Sequence, residues 1–166
     1  FIVVRKDGAV VDPRAGSLSA ATIIAFKGKS VGILAPIVLD LDGDGLDLVR
    51  RTKSKARFDM DGDGIADDTG WVGKGDGLLV IDRNNDGKIT GASELSFLTE
   101  KPDAKSDLEA LAALDSNRDG KISADDARFA ELKIWVDGNR NGKTDHGELK
   151  SLEDLGITEI GLAGRS

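Results

Sequence analysis

The sequence predicts an α+β fold in which short helices and short strands are organised around several tight acidic loops. Three observations predict it. Five segments begin with aspartate, place Asp or Asn at the third and fifth positions and turn at a glycine in the sixth; they start at Asp40, Asp59, Asp82, Asp115 and Asp137. Brief apolar runs such as Leu78 to Ile81 and Lys133 to Val136 adjoin these loops and read as strands. Helical spacing is confined to short stretches, with Leu108, Leu111 and Leu114 on one stripe.

The fourth and fifth loops carry the fullest pattern. A hard divalent cation needs six to eight oxygen ligands, and a twelve-residue loop of the EF-hand type supplies them from positions 1, 3 and 5, a backbone carbonyl at 7 and an acid at 12. Position 6 must turn sharply, hence its glycine. The fourth loop offers Asp115, Asn117, Asp119, the carbonyl of Lys121 and, at position 12, Asp126. Aspartate there is one methylene shorter than the usual glutamate. The fifth offers Asp137, Asn139, Asn141, the carbonyl of Lys143 and Glu148, which satisfies the whole pattern.

The three upstream loops depart from it at the end. Asp40, Asp42 and Asp44 begin the first, but position 12 is Arg51, so either Asp47 or another segment must close the shell. Asp59, Asp61 and Asp63 begin the second, where position 12 is Gly70 and Asp67 at position 9 is the available acid. Asp82, Asn84, Asp86 and the carbonyl of Lys88 form the third, whose acid, Glu94, comes at position 13. One Asp-Gly pair is an ordinary turn. Turns alone do not demand this pattern five times, and such carboxylate density is repulsive without a cation. Calcium is therefore expected at two or more loops, with magnesium disfavoured by its need for rigid octahedral sites.

Composition agrees. In 166 residues the net charge is −7, which disfavours nucleic acid and anionic membranes and favours cations. Charged residues make up 32% and aromatics only 4%, yet 39% hydrophobic content supports a folded core. The absence of cysteine excludes disulfides, thiolate zinc sites and a cysteine nucleophile. No apolar run is long enough to span a bilayer. The start at Phe1-Ile-Val-Val, without methionine, reads as a piece of something longer.

Two regions are expected: a weakly structured flanking segment over 1–34, with a short strand or helix, and a multi-calcium module over 35–166. In the first, Phe1 to Val4 and Ala21 to Phe26 are short apolar runs, and Asp12-Pro13 reads as a turn. Across the boundary, Val31 to Leu39 is strand-like and leads into the first loop. Trp71 is expected in the core. Ser93 to Leu98 suggests a short helix, and Ser106 caps a second with Glu109 three residues on. Helices are also expected over 125–132 and 148–155, the latter stopped by Gly156, before a closing strand from Ile157 to Leu162. The connector between Asp126 and Asp137 is too short for two helices, so a calmodulin-like pair of independent hands is a poor description. His146 has no serine or cysteine partner in view, which leaves a hydrolase triad unsupported.

Several landmarks outside the loops agree with a known family in order. Pro36-Ile-Val-Leu-Asp-Leu-Asp-Gly-Asp-Gly, Phe58-Asp-Met-Asp-Gly-Asp-Gly, Thr69-Gly-Trp-Val, Asp76-Gly-Leu-Leu-Val, Ala110-Leu-Ala-Ala-Leu-Asp-Ser-Asn and Leu155-Gly-Ile resemble the calcium-binding self-processing module of Frp-type iron-regulated repeats-in-toxin (RTX) proteins. The resemblance runs from Pro36 to Leu162. It implies type I secretion to the medium or cell surface, folding on calcium outside the cell, and attachment to a longer parent polypeptide. In processing members it implies scission of an Asp-Pro bond at the N-terminal edge, with the released aspartyl group joined to a lysine amine of a protein partner. That step needs the aspartate carboxylate to attack its own carbonyl and expel the proline nitrogen as a cyclic anhydride forms. Here Ala35 precedes Pro36, so the bond as written has no nucleophile. Asp12-Pro13 is the one Asp-Pro pair in the chain and lies far upstream of the matching position. Three readings follow: a non-catalytic calcium module, a self-processing module lacking its aspartate, and a calcium-dependent protein- or glycan-binding module, for which no aromatic platform is visible.

Overall fold

The structure, a computed structural model, describes residues 2–5, 10–11 and 36–162. In chain order the strands are β1 (Ile2–Arg5), β2 (Val10–Val11), β3 (Ile37–Asp40), β4 (Leu48–Val49), β5 (Arg57–Phe58) and β6 (Asp67–Asp68). They continue as β7 (Trp71–Val72), β8 (Asp76–Ile81), β9 (Lys121–Ser123), β10 (Leu132–Trp135), β11 (Leu149–Ser151) and β12 (Glu159–Gly161). Among the described residues two short α-helices, α1 (Ala92–Leu95) and α2 (Asp107–Leu111), accompany the strands in a mixed architecture.

One six-stranded sheet runs β11-β10-β8-β3-β1-β2, antiparallel throughout except for the parallel β1–β3 pair. Three small antiparallel pairs, β12-β9, β4-β7 and β5-β6, surround it. The central strands β3 and β8 are buried along their whole length, which suits their unbroken apolar reading. Successive side chains of a strand point to opposite faces, and the sheet accordingly divides two cores. Ile37, Leu39, Leu79, Ile81 and Ile134 face one, with Leu111 from α2, Phe97 and Ile122. Val38, Leu78, Val80 and Trp135 face the other, with Phe58, Trp71, Ile89 and Leu95. Trp71 is a core residue as expected, meeting Phe58 at 5.7 Å and Trp135 at 5.3 Å between ring centroids.

The helix at 93–98 forms one residue earlier and ends sooner, as α1. Ser106 caps α2 by accepting the Glu109 amide at 3.2 Å, and a 3-10 turn at Ala112–Leu114 carries the chain into the fourth loop. Two expected helices are absent. Over 125–132 there is a turn and a 3-10 helix at Phe129–Glu131, because the chain must enter β10 at once, where Leu132 pairs with Ile81. Over 148–155 the first residues form β11 against β10, and only Glu153–Leu155 coils, as a 3-10 turn ended by left-handed Gly156. Sheet pairing overrides local helix preference at both places. Ala21 to Phe26, Asp12-Pro13 and Ala35 lie outside the described residues.

Candidate metal centre

The five loops share one backbone course. Position 4 is left-handed in all of them, at Gly43, Gly62, Asn85, Arg118 and Arg140, with φ between +55° and +83°. Position 6 is left-handed too, at Gly45, Gly64, Gly87, Gly120 and Gly142. Glycine takes this conformation without steric cost, whereas Arg118 and Arg140 hold it at a cost of roughly 1–2 kcal/mol.

The position-1 carboxylate imposes that course by accepting amides from its own loop. Asp40 takes Gly43 at 2.7 Å and Gly45 at 3.2 Å; Asp59 takes Gly62 at 2.7 Å and Gly64 at 2.9 Å. Asp82, Asp115 and Asp137 take the position-6 amides of Gly87, Gly120 and Gly142 at 2.8, 2.9 and 2.8 Å. Side chains at positions 3 and 5 repeat the device: Asn84, Asn117 and Asn139 each accept the amide two residues on, and Asp86, Asp119 and Asn141 accept those of Lys88, Lys121 and Lys143.

In the first two loops the acids converge. One carboxylate oxygen from each of Asp40, Asp42 and Asp44 lies within 4.8 Å of the others, and the same holds for Asp59, Asp61 and Asp63. Their mutual repulsion is visible at exposed Asp44, whose carboxyl is raised by its hydrogen bond and charge contact with Asp42. Asp47 and Asp67 stand outside these clusters: Asp67 pairs with Phe58 in the β5–β6 ribbon.

The closing acids of the other loops take a common position. Asp126 accepts the amides of Ser116 at 2.7 Å and Ser123 at 2.9 Å, loop positions 2 and 9. Burial raises its carboxyl, but those amides outweigh burial and hold it below the ordinary aspartate range. Glu148 likewise accepts Gly138 at 3.2 Å and Asp145 at 2.9 Å, again positions 2 and 9. Glu94, one residue late in sequence, accepts the position-9 amide of Thr90 at 2.8 Å. The extra residue is absorbed at Gly91, which bridges Asp59 and starts α1. Asp137 is buried, and burial raises its carboxyl against the opposing effect of its loop amides.

Two acids missed from the sequence join the loops. Asp145, at position 9 of the fifth, accepts the side-chain amides of Asn139 at 2.7 Å and Asn141 at 2.9 Å, which hold it below its ordinary range. Its place at position 9, like that of Asp67, is the signal that could have found it. Asp76 opens β8, opposite Asp40 in the β3–β8 register. It is buried, and burial pushes its carboxyl up to about 6 despite the Asp47 amide, with Asp40, Asp42 and Asp47 adding repulsion. Nothing local in the sequence marks it, since the Gly73–Gly77 stretch reads as a turn. Pro36 is buried at the head of β3, and His146 is exposed in the fifth loop.

Among the described residues no helix is long and apolar enough to cross a membrane. Residues 37–166 match the family described as SPM domain. The chain is also 44% identical over 133 residues to the iron-regulated protein FrpA of Neisseria meningitidis serogroup C, covering 77% of this chain and 12% of that relative. It therefore corresponds to a small part of a much longer protein there. By the match over most of its length, this chain belongs to the SPM domain family.

Proposed function

We propose that the chain is a calcium-binding module of a larger secreted RTX-like protein, folded and stabilised by the cation. The observation that carries the proposal is the convergence of Asp40, Asp42 and Asp44, repeated at Asp59, Asp61 and Asp63, within loops of one backbone course. The donors are all hard oxygens, the set that calcium takes. Like charges held this close oppose compaction, so a cation that binds the folded loops adds its binding free energy to folding. Calcium outside the cell would then decide whether the module is folded. Removing calcium with EDTA is expected to reduce the near-UV circular dichroism of the Trp71–Trp135 core and to lower the melting temperature. An identical spectrum and melt in EDTA and in calcium would sink the proposal.

A second reading, calcium-triggered self-processing at the N-terminal edge, draws on membership of the SPM family and on buried Pro36 heading β3. Ala35 removes the nucleophile that this chemistry needs. An Ala35→Asp variant in calcium is expected to release a chain beginning at Pro36 and a fragment ending at residue 35, some of that fragment joined through its new aspartyl end to a lysine amine. A band that stays intact for days argues against latent processing.

A further inference from the structure

We infer that Asp76 closes the first loop, so that a single calcium-sized divalent cation is held jointly by the Asp40–Asp44 loop and by strand β8. The inference rests on the calcium reading above and names the ligand that reading lacks, since position 12 of this loop is Arg51.

Four contacts bring the two segments together. Asp40 and Asp76 are direct partners across the antiparallel β3–β8 pair. The Leu41 amide donates to the Gly75 carbonyl at 3.3 Å, and the Gly73 amide to the Asp47 carbonyl at 2.6 Å. The Asp47 amide donates to Asp76 Oδ2 at 2.7 Å. Gly75 lies so close to Asp42 that a Cβ there would collide with its carboxylate. The turn before β8 is thus pressed onto the mouth of the first loop.

The second oxygen is the independent sign of a ligand. Asp76 is 1% exposed, and its Oδ1 has no hydrogen-bond partner. A buried carboxylate oxygen without a donor is costly, and buried charges are normally paired or coordinated to metal. Lys74, two residues before it, and Arg51, at position 12 of the loop, are exposed, and neither has an ion pair among the described residues. A divalent cation between Asp76 and the Asp40, Asp42 and Asp44 carboxylates supplies the missing partner. The loop then cannot be completed until β8 pairs with β3, which makes this site a clamp on the central sheet.

The test compares the whole chain with its Asp76→Asn and Asp103→Asn variants, Asp103 being an exposed acid outside the loops. Calcium binding is followed by calorimetry and melting with and without EDTA. Asparagine keeps an acceptor for the Asp47 amide and removes the buried charge. Asp76→Asn is therefore expected to melt at or above the wild-type temperature in EDTA, yet to gain less from calcium and to lose one site or weaken it at least tenfold. Asp103→Asn should match wild type. Unchanged site number and affinity in Asp76→Asn overturn the inference, as does an equal loss of stability with and without calcium, which marks a structural role. If Asp76→Asn does not fold, the carboxyl carbon resonances of the wild-type chain decide. Asp76 should shift with Asp42 and Asp44 as calcium is added, and a stationary Asp76 overturns the inference while leaving calcium binding standing. Absence of any calcium binding by wild type overturns both.

Discussion

Thr144 of the fifth loop and Ile89 of the third, both at position 8, are joined twice: the Thr144 hydroxyl accepts the Ile89 amide at 2.9 Å and donates to the Ile89 carbonyl at 3.3 Å. Ile89 is buried beneath this pair, in the core that holds Trp71 and Trp135. The fifth loop also accepts the Arg57 amide at the Asn141 carbonyl, 3.2 Å away, so it touches the strand that leads into the second loop. Loops far apart in sequence thereby meet side by side. Thr144→Val keeps the shape and removes both hydrogen bonds, leaving the Ile89 backbone groups without their partner. It should cost about 1–3 kcal/mol in calcium-saturated thermal unfolding. A change under a few tenths of that would show that the two loops fold independently.

Calcium-linked stability should count the sites. A ligand that binds only the native state adds RT ln(1 + [L]/Kd), so each saturable site adds about 1.4 kcal/mol per tenfold rise in free calcium. Urea unfolding at several buffered calcium levels measures that slope. The slope should exceed the value for one site, and a flat dependence would remove calcium from the account of folding.

Glu94 should behave as a closing acid despite its late place in the sequence, because its carboxylate meets the same position-9 amide that Asp126 and Glu148 meet. Its Oε1 is buried without a hydrogen-bond partner. Glu94→Gln should weaken one calcium site at least tenfold, about 1.4 kcal/mol, while Glu153→Gln, at an exposed acid outside the loops, should not. Calorimetric titration separates the two. Equal titrations would place Glu94 in a purely structural role.

Glu100 ties the third loop to the segment after the fourth, joining Arg83 at 2.6 Å and Arg128 at 2.5 Å. Burial raises its carboxyl, but hydrogen bonds from Arg128 and then Arg83, with their charges, outweigh burial and hold it below the ordinary glutamate value of 4.5. A depressed carboxylate stabilises the fold fully above its unfolded value, and that contribution fades as pH falls through the folded one. Glu100→Gln should therefore cost about 1–2 kcal/mol at neutral pH, at the modest end because Arg128 is 38% exposed, and the gap to wild type should narrow below pH 4.5. Parallel melting curves across pH 3–7, compared in EDTA so that calcium does not titrate as well, check the sign. A gap that widens in acid contradicts it.

Much of the fold was legible because its signals are local. Five aspartate-led loops, the runs that became β3, β8 and β10, and the Ser106 cap are each dictated by neighbours within a few residues, through turn chemistry, alternation and side-chain capping. The helices expected after the fourth and fifth loops were not, because the chain there must enter β10 and β11, and the ladder hydrogen bonds of β10 to β8 and of β11 to β10 exceed a few tenths of a kcal/mol of helix preference. Glu94 was identified, but its equivalence to a position-12 acid depends on how Gly91 bridges to Asp59.

The sequence by itself determined where the charge-dense loops lie and which oxygens each can offer, since loop geometry depends on spacing and glycine. Only the tertiary structure decided which distant groups lie against them. Asp76 faces Asp40 and Thr144 joins Ile89 because antiparallel pairing and burial of the Trp71–Trp135 core bring those strands and loops together. No spacing rule within one loop contains that information.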